Sequence, residues 1–98
     1  MYKQYMVQFD LPNPFPADFM ERIPEQRNVI NYLLAEGKIK SYSLSMDRGR
    51  LWSVFVAQSD MEVMEMIAEW PLAEWLVPDV EELMFHNSSD MVLQFSLN

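Results

Sequence analysis

The stretch RGRLWSVFVAQSDMEVMEMIAEWPL, from Arg48 to Leu72, changes its hydrophobic period once, and this change limits the folds open to the chain. From Leu51 to Gln58 apolar residues are nearly continuous, which is typical of a central strand. Ser59 and Glu62 then form the S-x-x-E pattern that begins a helix, and Pro71 ends it. The stretch therefore predicts a buried strand joined directly to a helix that covers one face of a sheet.

The first part of the chain also predicts a strand followed by a helix. Tyr2 to Asp10 alternates between two faces, and the prolines of LPNPFP end that strand. From Ala17 to Glu36 the period is helical, and Gly37 is placed as a C-terminal cap. Because Pro24 interrupts this segment, we expect a kink, or a short helix followed by a longer one that restarts at Pro24.

Two further strands complete an α+β order. Lys40 to Met46 alternates again, and DRG at 47–49 predicts a hairpin turn. Leu76 to Phe85 reads as a fourth strand, and Pro78 places its start at an edge. The order β-α-β-β-α-β predicts a ferredoxin-like sandwich with an antiparallel sheet.

The C-terminal end predicts one more element. Residues 90–98 alternate apolar and polar side chains after the turn-rich HNSSD. We expect a domain over 1–89 and a C-terminal tail strand over 90–98. That strand pairs with an edge of its own sheet or is exchanged between chains.

Composition excludes several classes of function. The net charge is −8 with 7 Lys and Arg residues, so we expect no nucleic acid and no membrane as a partner, because both bind clustered cations. No cysteine, one histidine and 2 glycines argue against metal sites and a Gly-rich phosphate loop, so we expect no cofactor. The lack of cysteine and of a signal-peptide pattern fits a cytoplasmic location. A small apolar ligand or another protein chain remains as partner.

One face of the predicted sheet is left uncovered by the helices. Its expected members are Gln4, Met6, Gln8, Ser41, Ser43, Ser45, Ser53 and Phe55, with Val54 and Val56 placed under the helices. In places this face is too apolar to be left exposed to water. Elsewhere it is too polar to be packed as a core without water. We predict a homodimer in which two copies pack sheet to sheet and enclose a polar-lined cavity.

Few side chains are candidates for acid–base chemistry. Histidine is the side chain that most often serves as a general base near neutral pH, which makes His86 a candidate, although a histidine at a strand end is more often a surface residue. Asp10 either points into the predicted cavity or caps the turn that follows it. Asp79, Glu81 and Glu82 form either an acid–base pair or a solvated edge.

Several motifs resemble one known family. They are DLP at 10–12, AEG at 35–37, WSVFVAQSDMEVMEMI at 52–67, WPL at 70–72 and HNSS at 86–89. The chain from residue 1 to 89 resembles the muconolactone isomerase family. The resemblance implies a ferredoxin-like domain that forms a dimeric α+β barrel through its sheets and assembles into larger rings. It also implies a cofactor-free proton transfer that moves a double bond in a lactone.

The chain departs from the family pattern on its second and third strands. The family's His-Leu-Trp-Arg stretch is replaced by Ser41, Tyr42, Ser43 and Leu44, so the imidazole and the cation are both missing there. In the hairpin, Arg48 or Arg50 is left to bind a lactone carboxylate.

Two functional hypotheses follow. The first is an isomerase that transfers a proton on a small, apolar, lactone-like molecule, with His86 or Asp10 as the acid–base group. The alternative is a non-catalytic homo-oligomeric module that binds a small ligand or acts as an accessory protein and has lost the family's active-site residues. The expected ligand-binding residues are Gln8, Ser41, Ser43 and Arg50.

Overall fold

The order of strands and helices agrees with the prediction from sequence. In the computed structural model, which describes residues 1–87, two helices pack on one antiparallel sheet. The elements are β1 (Lys3–Asp10), α1 (Ala17–Ala35), β2 (Ser43–Leu44), β3 (Arg50–Ala57), α2 (Asp60–Ala68), a 3-10 turn (Ala73–Trp75) and β4 (Val77–Leu83). The sheet order β2-β3-β1-β4 with antiparallel pairs is the ferredoxin-like arrangement.

The predicted tail strand at 90–98, with Ser88 and Ser89 before it, lies outside the described residues. None of the helices within residues 1–87 is long and apolar enough to cross a membrane.

The pairing of β1 with β3 decides which face each residue of β3 occupies. Tyr5 is opposite Phe55 and Val7 is opposite Ser53, and residues directly opposite each other share a face. Tyr5 and Val7 belong to the core under the helices, so Ser53 and Phe55 do too. The expectation that Ser53 and Phe55 lie on the open face was therefore wrong. The β3 residues on the open face are Trp52, Val54 and Val56.

Helix α1 continues through Pro24, so the predicted restart at Pro24 was wrong. Pro24 is exposed, and the carbonyl that its ring leaves without a helical donor can be hydrated there. At the other end, Gly37 adopts φ 73°, and the N–H of Lys38 donates to the carbonyl of Leu33 at 2.9 Å. This is the Schellman cap that a glycine at this position favours.

Strand β2 is shorter than the predicted strand from Lys40 to Met46 because two serine side chains replace part of its ladder. The Ser53 hydroxyl donates to the Ser41 carbonyl at 2.7 Å, and the Val54 N–H donates to the Ser41 hydroxyl at 3.1 Å. Regular pairing with β3 is confined to Ser43 and Leu44. The same bonds explain how Ser53 is fully buried without an unsatisfied hydroxyl.

Helix α2 begins where the sequence predicts. The N–H of Glu62 donates to the Ser59 hydroxyl at 3.2 Å, which satisfies one free donor of the first turn. After the helix, Trp70 packs its ring against Phe9 and Phe55, with centroid distances of 5.2 and 5.6 Å. This aromatic cluster ties the end of α2 to the two central strands.

Candidate functional site

A cavity of about 360 Å³ lies between α1 and the helix-covered face of the sheet, at the end where the β2–β3 hairpin turns. Most of its wall is apolar, and four polar side chains line it: Gln26, Arg27, Tyr42 and Arg48. The apolar lining residues are Leu11, Phe15, Phe19, Met20, Ile23, Leu44, Leu51, Leu72 and Leu76. An apolar wall with a few polar groups is what small-molecule sites usually have.

A buried amide organises the inner side of this cavity. Gln26 is only 2% exposed, and its side-chain carbonyl accepts a hydrogen bond from the Leu72 N–H at 3.2 Å. Its side-chain N–H donates to the Tyr42 hydroxyl at 3.3 Å. Burial raises the pKa of the Tyr42 phenol, and the hydrogen bond from Gln26 offsets part of that rise. Tyr42 is therefore a neutral phenol at physiological pH.

Two arginines stand at the exposed part of the cavity lining. Arg27 comes from α1 and Arg48 from the hairpin, and both side chains are exposed. Within residues 1–87, neither guanidinium has a carboxylate at ion-pair distance, whereas Arg22 nearby is paired with Glu74 at 3.2 Å. Two guanidinium groups without a carboxylate partner among the described residues, placed beside an apolar cavity, can bind an anionic group.

The hairpin holds Arg48 in an uncommon backbone conformation. Its φ is 64°, which side-chain-bearing residues seldom adopt. The Asp47 carboxylate accepts hydrogen bonds from the Ser45 hydroxyl at 2.7 Å and the Gly49 N–H at 2.9 Å. These two bonds hold the pKa of Asp47 below its ordinary value, the one from Ser45 most strongly. The ionised Asp47 thus fixes the turn that carries Arg48.

A second, larger groove runs beside α2 and has a different character. Its volume is about 520 Å³, and Glu36, Glu62, Glu65 and Glu69 line it together with Lys38. Within the described residues, no group of three or more His, Asp or Glu side chains is placed to hold a metal ion. The cavity under α1, with its buried amide and cations, is therefore the better candidate site.

The residues predicted from sequence to form the site lie mostly on the other face of the sheet. Gln8 and Asp10 alternate with the core residues of β1, and the register places Asp10 opposite Arg50 and Gln8 opposite Trp52. Ser43 is also opposite Trp52, on the other side of β3. The Trp52 indole N–H donates to the Gln8 carbonyl at 3.1 Å. These residues come together on the open face, separate from the cavity.

His86 and Ser41 are placed apart from this group. Val77, at the start of β4, pairs with Asp10, whereas His86 follows the other end of the same strand. A strand rises about 3.3 Å per residue, so β4 alone separates the two ends by roughly 20 Å. Ser41 uses its hydroxyl and its carbonyl in the bonds that join it to β3. One chain therefore does not bring His86 and Asp10 to a common site.

Two cavity residues that were not predicted as site residues, Gln26 and Tyr42, could have been identified from the sequence pattern. Gln26 is spaced at helical intervals from Ile23, Ile30 and Leu33, which face the core. A polar residue on an apolar stripe indicates a buried polar partner, because an unpaired amide there is costly. Tyr42 and Leu44 are two positions apart in an alternating segment and so share a face, and both line the cavity.

Comparison with known proteins identifies the fold and the family. Residues 4–89 match the family model described as muconolactone delta-isomerase. The structure resembles the crystal structure of muconolactone isomerase with a TM-score of 0.68 and 20% identity, covering 87% of this chain and 92% of that chain. No curated protein matches the sequence.

Two other solved structures share the fold. One is 5-chloro-2-hydroxyhydroquinone dehydrochlorinase from Burkholderia phenoliruptrix AC1100 in complex with 2,5-dihydroxybenzoquinone, with a TM-score of 0.59, 16% identity, and coverage of 89% of this chain and 97% of that chain. The other is Rv0793 from Mycobacterium tuberculosis, with a TM-score of 0.50, 16% identity, and coverage of 90% and 100%. At these identities the structures establish the fold, and the family model, which spans most of the chain, establishes the family. The chain belongs to the muconolactone delta-isomerase family.

Proposed function

We propose that this protein takes a small, mostly apolar, lactone-like acid into the cavity under α1 and isomerises it by proton transfer without a cofactor. The observation that carries the proposal is an apolar wall beside two arginines, Arg27 and Arg48, that have no carboxylate partner within residues 1–87. A ligand with one anionic group and an apolar ring matches both features. The family supports the reaction class.

The proposed carboxylate partner is Arg48 rather than Arg50. Both belong to the hairpin, but Arg48 lines the cavity, whereas Arg50 is opposite Asp10 in the sheet register. Leu44, aligned with the family's strand arginine, also lines the cavity. The cation has therefore moved from the strand to the turn, where its long side chain reaches the cavity from the outside.

The acid–base group of the proposed reaction is His86 or Asp10. Neither lines the cavity of its own chain, so either one would act from a second chain of the assembly. A sheet-to-sheet homodimer, the arrangement that the family resemblance implies, would bury the open face around Met6 and Trp52. Asp10 and Arg50 lie at the end of that face, on the side of the sheet opposite the cavity. A second chain would therefore bring its Asp10 to the cavity through another contact of the larger ring that the family resemblance implies. A cytoplasmic location remains a prediction.

A second candidate is a non-catalytic module that binds the same kind of ligand. Its basis is that neither His86 nor Asp10 lines the cavity of its own chain. It requires the cavity and the arginines but no acid–base group at the ligand. The two candidates make the same prediction for binding and different predictions for proton exchange.

The deciding experiment is incubation of the full-length protein with muconolactone in D₂O, followed by NMR. An isomerase moves the double bond and introduces deuterium at the carbon that receives the proton. Binding without rearrangement or deuterium uptake would support the non-catalytic candidate instead.

Variants at the proposed groups sharpen this test. If turnover occurs and both His86→Ala and Asp10→Asn leave its rate unchanged, the acid–base assignment is wrong. Arg48→Ala should weaken binding, and Arg50→Ala is the matched control from the same hairpin.

A further inference from the structure

We propose that the Tyr42 hydroxyl is the hydrogen-bond donor that recognises a carbonyl oxygen of the ligand, and that Gln26 is the positioning residue that directs this donor into the cavity. The inference rests on the proposed function, because it assumes that the cavity under α1 is the ligand site. It adds the polar group that the ligand must present at the inner side of that cavity.

The direction of the hydrogen bonds carries the argument. A backbone N–H can only donate, so the group of Gln26 that meets Leu72 at 3.2 Å is the carbonyl oxygen. The amide N–H₂ is then the group that faces Tyr42, at 3.3 Å. An amide nitrogen does not accept, so the Tyr42 oxygen is the acceptor in that bond. Tyr42 retains its own O–H as an uncommitted donor.

The surroundings of Tyr42 indicate that its free O–H donates into the cavity. Within residues 1–87, no other hydrogen bond to the Tyr42 hydroxyl is present, and both Tyr42 and Gln26 line the cavity. The rings of Tyr42 and Trp70 pack in a T-shaped arrangement with their centroids 5.9 Å apart, which restricts rotation of the Tyr42 ring. A half-buried hydroxyl without an acceptor gains a hydrogen bond when a small acceptor group enters the cavity between its apolar walls.

Two sets of polar groups then define the ligand. The exposed arginines select an anionic group on the outer side, and the Tyr42 hydroxyl selects an uncharged acceptor on the inner side. A γ-lactone that carries a carboxylate on a side chain has both. Burial raises the pKa of Tyr42, so the donor persists into the alkaline range.

The test uses two small neutral five-membered rings that differ in one hydrogen-bond acceptor, the carbonyl oxygen. Furan-2(5H)-one has a lactone carbonyl, and 2,5-dihydrofuran has the same ring size without it. We expect the native protein to prefer the lactone in NMR titrations. Tyr42→Phe should weaken lactone binding roughly threefold to tenfold, as for one neutral hydrogen bond, and weaken dihydrofuran binding less, because that ring has only its ether oxygen as an acceptor. Tyr32→Phe, on the exposed part of α1, is the control.

Gln26→Glu tests the positioning role with almost no change in shape. An ionised carboxylate accepts from both Leu72 and Tyr42, so it turns the Tyr42 proton away from the cavity. The lactone preference should therefore be lost at high pH and return when the carboxyl is protonated, because its O–H then replaces the amide donor. The preference of the native protein should not vary over this pH range.

The outcomes separate the two levels of the proposal. If neither probe nor muconolactone binds the native protein, the cavity proposal fails and the inference fails with it. If the lactone is preferred and Tyr42→Phe keeps that preference, only the assignment of Tyr42 fails. If Gln26→Glu keeps it at all pH values, Gln26 has no positioning role. Should Gln26→Glu not fold, Tyr42→Phe with the two probes still decides the assignment of the donor.

Discussion

The backbone N–H of Leu72 donates a hydrogen bond to the side-chain carbonyl of Gln26, which lies 46 positions earlier in the chain. The bond joins the middle of α1 to the segment that follows α2. Both residues are buried, so water has little access to either partner. The fold therefore depends on a side chain that also belongs to the candidate site.

Gln26→Leu should lower the free energy of unfolding by about 1–3 kcal/mol, because it leaves the buried Leu72 N–H without an acceptor. Urea unfolding of the native protein and the variant measures the difference. Asn28→Leu, an exposed polar position on the same helix, should change stability by much less. Equal losses for the two variants would show that the buried hydrogen bond is not the cause.

Met6→Asp should convert the proposed homodimer to a monomer. Met6 lies on the open face opposite Val54 on one side and Glu81 on the other, so the new carboxylate is placed next to an existing one. Light scattering at micromolar concentration measures the mass. Met61→Asp, at a position that is 69% exposed on α2, should leave the dimer intact. A monomeric native protein would refute the dimer itself.

Replacing Arg48 should separate stability from binding. Its φ of 64° suits glycine, so Arg48→Gly should be more stable than Arg48→Ala by about 1 kcal/mol. Both variants lose the guanidinium and should bind muconolactone roughly twofold to fivefold more weakly, as for the loss of an exposed ion pair. Thermal unfolding and calorimetric titration give the two quantities. Unchanged affinity in both variants would exclude Arg48 from the site.

Acid should loosen the hairpin through Asp47. Its pKa in the folded protein lies below the ordinary value of 3.8, so ionised Asp47 contributes stability in full above that value and loses it as the pH falls through the folded pKa. Asp47→Asn removes this contribution. The stability difference between the native protein and the variant should therefore be largest above about pH 4 and shrink below it. Urea unfolding at pH 2 to 6 checks this, and a difference that does not vary with pH would contradict it.

Truncation after Ser89 tests the proposed tail strand at 90–98. If that strand is exchanged between chains, the shortened protein should form a smaller oligomer and unfold at a lower temperature. Mass measurement and a thermal scan compare it with the full chain. The same oligomer and the same midpoint would show that the tail has no part in assembly.

The sequence predicted the order of strands and helices better than it predicted which side chains of a strand face the helices. The Ser59 cap, the Gly37 stop and the turn at Asp47 depend on local chemistry, and each lies where it was predicted. Alternation shows that Ser53 and Val54 face opposite ways, but it does not show which one faces the helices. The expectation that Val54, rather than Ser53, faces the helices was wrong. Ser53 can be buried there because its hydroxyl has a hydrogen-bond partner on Ser41, 12 positions away.

The site was harder to predict for a related reason. His86 and Asp10 have the side chains that acid–base chemistry needs, but their positions relative to a ligand depend on the sheet register and on a second chain. Gln26 and Tyr42 lie at core-facing positions. A single polar residue at such a position is easily dismissed as an exception to the apolar pattern. The proposed role of the two residues depends on the direction of the Gln26 amide, which the hydrogen bond from Leu72 sets and which the sequence does not show.

The left-handed backbone of Arg48 has a consequence for how this family can diversify. The turn from Ser45 to Arg50 is closed by hydrogen bonds of its backbone and of the Ser45 and Asp47 side chains, so the side chain at position 48 can change without altering the ladder between β1 and β3. On the proposed function, a duplicated copy with glycine or asparagine at position 48 would keep the scaffold and lose a cation beside the cavity. The charge at the cavity entrance can thus vary through a single exposed position outside the hydrophobic core.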